Sequence, residues 1–150
     1  MTEDHSPRLF ADDAEVRRVG EGLIACTLTR ADWTHEAHLA ACLYVICERP
    51  DMVAERDLPG LIRRFNESVG GVNSATEGYH ETITQTYICG VRRFLARAAN
   101  GPLHEQVNAL LEAPEGGREW PLRFYSPELL FSVDARARLV EPDLEPLLQG

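Results

Sequence analysis

"WTHEAHLAACLYVIC", Trp33 to Cys47, carries apolar side chains around its whole circumference, so as a helix it has almost no face for water. A helix of that kind needs neighbours on every side, and it reads as the central element of an all-α fold. Thr34 is a good N-cap for it, and Pro50 stops it. Upstream, Asp12-Asp-Ala-Glu15 has capping-box form, and Val16, Val19 and Leu23 recur at helical spacing, which predicts a helix from Asp12 to near Thr27. Downstream, Asp57 can cap a third helix with the stripe Leu58, Leu61, Ile62, Phe65 and Val69, ended by Gly70-Gly71.

Ser74-Ala-Thr-Glu77 again has capping-box form and predicts a long fourth helix from Ser74, with Tyr79, Ile83, Tyr87, Val91, Phe94 and Ala98 inward and Asn100-Gly101 closing it. Pro102 opens a fifth helix with Leu103, Val107, Leu110 and Leu111 inward. Trp120 to Gly150 is punctuated by prolines, with Ser126 and Ser132 placed as caps of one or two short helices. The expected architecture is a single domain over 1–150, an irregular or orthogonal bundle of five to six helices, with a flexible start over 1–11 and an extended tail over 142–150. No alternating strand pattern of useful length interrupts it.

A chain of 150 residues can bury a continuous core without a disulfide or a structural metal. Its 24 acidic and 15 basic residues give a net charge of −9, which repels phosphate backbones and argues against nucleic acid as a partner. The longest apolar run, Leu39 to Cys47, is too short to cross a bilayer, and MTEDHSPRLF lacks the features of a signal peptide, so a cytoplasmic location is expected. Cys26, Cys42, Cys47 and Cys89 show no C-x-x-C spacing and read as reduced core residues. An acidic helical domain of this size can form a homodimer through an apolar helix face.

Chemistry concentrates in two segments. His35 and His38 lie one turn apart on the central helix, close enough to meet one cation. His80, three residues before Ile83 and seven before Tyr87, falls on the inward face of the fourth helix if that helix includes it. If the two helix starts meet, His35, His38 and His80 supply three imidazoles, and three ligands with one open position let Zn, Fe or Ni polarise a substrate or acidify a bound water. Partial positive charge at both helix starts is expected to keep the rings neutral and to favour an anionic ligand. Glu81, next to His80, is the first choice for an acid-base or fourth-ligand role, and Glu77, which shares His80's helical face, is its rival. Asn66, Asn73, Trp33, Tyr79 and Tyr87 are candidate pocket residues. His5 and His104 read as surface residues without partners.

On the motifs W-T-H-x-A-H-L, here Trp33 to Leu39, and Asn73 followed by G-Y-H-E-T-x-T from Gly78 to Thr84, the chain resembles a group of uncharacterised bacterial proteins. The similarity extends through "FYSPELLFS", Phe124 to Ser132, and "VEPDLEPL", Val140 to Leu147. That resemblance implies that the two histidine segments act as a unit. The functional expectation is a metal-dependent enzyme with a mononuclear divalent transition metal, acting on a small molecule that is anionic in one version. The alternatives are a metal-free binding module using the same histidines and Asn66, and an interaction domain in which the histidines only pack.

Overall fold

The computed structural model describes residues 8–147. All regular structure among them is helical. Five longer helices, α1 (Asp13–Ala25), α2 (His35–Glu48), α3 (Ala54–Ser68), α4 (Glu81–Arg97) and α5 (Leu103–Glu112), are followed by the short α6 (Pro127–Leu130) and α7 (Val133–Ala137). Single 3-10 turns occupy Arg30–Asp32, Pro114–Gly116 and Trp120–Arg123.

α2 is the hub. It packs against α1, α3, α4 and α5, and Ala37, Leu39, Ala40, Ala41, Cys42, Leu43, Tyr44 and Val45 are all buried, as its unbroken apolar surface requires. Thr34 caps it by accepting the Ala37 N–H at 3.1 Å. α1 is capped by Asp12, whose carboxylate accepts from Glu15 N at 2.9 Å, and it buries Val16, Val19 and Leu23 against α2. The closest approach is at Gly20, where any Cβ would run into the Tyr44 ring. α1, α2 and α5 therefore form as their caps and stripes predict.

α3 starts three residues before the expected Asp57. That carboxylate still serves the helix end, reaching back to accept the Val53 N–H at 2.8 Å. Pro59 lies inside α3 and cannot donate to the Glu55 carbonyl, and Gln85 of α4 supplies that missing donor at 3.0 Å.

α4 is the main departure from the sequence reading. It begins at Glu81 and not at Ser74. Ser74 does engage Glu77, its Oγ accepting the Glu77 N–H at 3.2 Å, but its own N–H bonds the Glu77 carbonyl at 2.9 Å, so the segment closes into a turn. Gly78 then adopts φ +83°, outside any right-handed helix. The buried face of α4 includes Thr82 and Thr86, whose hydroxyls donate to the Arg138 and Thr82 carbonyls, both at 2.7 Å.

Two apolar clusters result. The larger joins α1 to α5; the smaller gathers Trp120, Phe124, Tyr125, Leu130, Ala135 and Val140, and Tyr87 of α4 packs against both. The end regions also take defined places as far as they are described. Phe10 is buried, with its backbone N–H and C=O both bonded to the Asn108 amide at 2.8 and 2.9 Å. Residues 1–7 and 148–150, and His5 with them, lie outside the described residues. Around Asp143 the tail runs along 124–126, with Leu144 N bonded to the Phe124 carbonyl at 2.9 Å and the Asp143 carboxylate taking the Ser126 N–H and hydroxyl.

Candidate functional site

The first half of α2, α3 at Leu58 and Ile62, the first half of α4 and Arg118 line a cavity of about 360 Å³. At ~30 Å³ of liquid per water, this holds roughly a dozen waters or a ligand of similar heavy-atom count. Leu39, Leu58, Ile62, Ile83 and Ile88 make its walls mostly apolar; Trp33, His35, His38, Tyr87 and Arg118 add polar or aromatic groups. A wider groove of about 950 Å³ adjoins it, and His35 and Arg118 line both spaces.

His38 is the most informative of these side chains. Its Nδ1 lies 2.6 Å from the Thr34 carbonyl, which can only accept, so the proton sits on Nδ1 and Nε2 carries the lone pair. Nε2 has no hydrogen bond among the described residues, and His38, an exposed residue, lines the cavity. The His38 ring lies 3.9 Å, centroid to centroid, from Trp33. Burial lowers its pKa from 6.5 to about 4, opposed by the Thr34 bond and helped by nearby His35, so His38 is neutral at neutral pH. The neutrality expected from helix-start charge is thus reached mainly by desolvation.

His35 and Tyr87 fasten the cavity to the loop beside it. His35 Nε2–H donates to the Gly116 carbonyl at 2.8 Å, and the Tyr87 hydroxyl donates to the Gly117 carbonyl at 2.8 Å. Their rings meet edge to face at 5.7 Å. Burial pushes the Tyr87 phenol up to about 12, and the Arg118 charge pulls it partly back.

His80 is elsewhere. It is the N-cap of α4: Nδ1 accepts the Ile83 N–H at 3.1 Å, and Nε2, which must therefore carry the proton, donates to the Leu130 carbonyl at 2.7 Å. Both nitrogens are spent on holding the C-terminal segment to the helix start, and burial lowers the pKa of this imidazole too. The convergence of His35, His38 and His80 on one cation is therefore not formed. Among the described residues no three or more His, Cys, Asp or Glu side chains are grouped to hold a metal ion. Cys42 lines the cavity, but burial pushes its thiol up to about 12, far from a thiolate at neutral pH.

The two carboxylates also fall outside the cavity lining. Glu81 accepts from the Tyr79 hydroxyl at 2.5 Å and from Gln85 at 3.3 Å, and Tyr79 has its pKa raised by burial and by this bond. Glu77 is exposed on the turn. Asn66 and Asn73 do meet, but to build the loop: Asn66 Nδ2 donates to Asn73 Oδ1 at 2.8 Å, which also accepts Tyr79 N at 2.9 Å. Glu77 and Asn66 line a separate, open depression of about 320 Å³, of which Trp33 is also a wall. Of the predicted site residues, the structure brings together Trp33, His35, His38 and Tyr87. His104, expected to have no partner, is bonded through both its backbone N–H and its Nδ1 to Asp13 of α1.

Sequence reasoning missed Arg118, because the loop that carries it joins α2 only by folding. Arg118 has no hydrogen bond among the described residues; its one ionic neighbour is Glu36, 3.8 Å away.

The two depressed imidazoles make a pH prediction. An unfolded chain protonates these rings as pH falls through about 6.5, whereas the fold resists, for His38 down to about 4. Their stabilisation is fully present above that unfolded value and declines as pH falls toward 4. Urea unfolding between about pH 7.5 and pH 5, a range in which most carboxylates stay ionised in both states, should show stability dropping on acidification, with a shallower slope in His38→Gln. An unchanged slope in that variant would show that His38 titrates normally.

No helix among the described residues is long and apolar enough to cross a membrane. Compared with known proteins, the chain matches no family model, no curated protein and no solved structure.

Proposed function

We propose that the chain binds, without a metal, a small molecule with an apolar body and a hydrogen-bond donor, seated in the cavity between α2 and α4 with its donor on His38 Nε2. The observation that carries this reading is the lone pair of a neutral imidazole, fixed in direction by the Thr34 carbonyl and facing mostly apolar space. Nε2 is open to solvent, so a donor brought by a ligand replaces water there and contributes the net worth of one hydrogen bond. The cavity volume lies at the small end of the range of ordinary ligand sites. It keeps the metal-free character of the second sequence reading but not its donor set: His80 and Asn66 do not line the cavity, His35 is bonded to Gly116, and His38 accepts a hydrogen bond instead of donating one to an anion.

Para-cresol and toluene test it, since they share a body and differ by one donor. Para-cresol should raise the melting temperature and bind about fivefold tighter than toluene, the worth of one ordinary hydrogen bond. Chelator should leave the effect unchanged, and Ile62→Trp, which fills the cavity from its half-buried wall, should remove it. Equal binding of the two compounds, binding retained in Ile62→Trp, or stabilisation that requires added Zn would overturn the proposal.

A further inference from the structure

The cavity has one cationic lining residue, Arg118, which also lines the open groove beside it. We infer that the natural occupant is a small carboxylic acid whose apolar body fills the cavity and whose carboxylate is held at the mouth by Arg118; this rests on the binding role proposed above. Three observations point the same way. The side chain of Arg118 is 73% exposed and makes no hydrogen bond among the described residues, so the planar donor fork that suits a carboxylate is uncommitted. Arg118 nevertheless lines both the cavity and the adjoining groove, as Tyr87 lines the cavity wall. Glu36, its only ionic neighbour among the described residues, lines the groove and not the cavity, and at 3.8 Å is too distant to occupy the fork.

The overall charge of −9 gives the protein no long-range pull on anions, so any preference for an acid must come from this local contact. The size of the space sets a scale: a body of one aromatic ring with a short side chain, about a dozen heavy atoms, fits it.

Phloretate, which carries a phenolic hydroxyl and a carboxylate, and phloretamide, its neutral isostere, separate the head group from the body. Calorimetric titration should find phloretate about threefold tighter, the value of an ion pair with a solvent-exposed guanidinium. The ratio should collapse toward one in Arg118→Gln and persist in Arg123→Gln, a nearby groove arginine outside the cavity lining. Equal affinities in the unmodified protein, or a ratio that survives Arg118→Gln, would overturn the inference. Para-cresol measured alongside separates the two ideas: if it binds while the acid shows no advantage, only the carboxylate assignment fails, and if it does not bind, the cavity reading fails with it.

Discussion

Replacing His80 with alanine should cost the fold about 2–4 kcal/mol while leaving para-cresol affinity unchanged. The first part of that cost is the lost N-cap, worth ~1 kcal/mol where a side chain stops accepting a helix-start N–H. The second is the Leu130 carbonyl, which would keep its burial and lose its donor, at about 1–3 kcal/mol. His80→Asn should recover the first part only, because asparagine caps well but is too short to replace the far ring nitrogen. Urea unfolding gives the energies and cresol titration the affinity. A large loss of affinity with little loss of stability would restore His80 to the binding site and reopen the three-imidazole centre.

Gly78→Ala should be about as damaging, roughly 3 kcal/mol, and should disorder the turn ahead of α4. At φ +83° a side chain already costs about 1–2 kcal/mol. The new Cβ would overlap the Val72 carbonyl oxygen and lie 2.6 Å from Asn73 Oδ1, the atom that gathers both the Asn66 amide and the Tyr79 N–H. The overlap is with backbone, which has no rotamer by which to escape. Amide hydrogen exchange should show protection lost at Tyr79, and a variant with native stability and exchange would mean that the turn has another accessible conformation.

Much of the fold could be read from the sequence because its signals are local. Asp12 and Thr34 cap the helices they precede, and Leu103, Val107, Leu110 and Leu111 are buried as their spacing implies. The error at α4 was also local in origin. Ser74 and Glu77 have the spacing of a capping box, and the same side chain can close a turn instead; the glycine that follows decides between the two. Counting a helix through that turn put His80 on the inward face. The three-residue interval to Ile83 is real, but it became a cap bond and not a shared face. Thr82 and Thr86 were missed because hydropathy hides a hydroxyl that is satisfied by a backbone carbonyl. Half of the site was visible in one segment, Trp33 to His38, and the remainder depends on which loop the helices bring against it.

Tyr87 packs against both apolar clusters and, with Ile83, also forms part of the cavity wall. A ligand seated in that space, as proposed, would rest on the seam between the five-helix body and the C-terminal segment, so its binding energy would also serve as adhesive between them. In such an arrangement cargo and architecture are not separable: the empty molecule is held together across that seam by fewer contacts than the loaded one, and the C-terminal segment is the part with most to gain from occupancy.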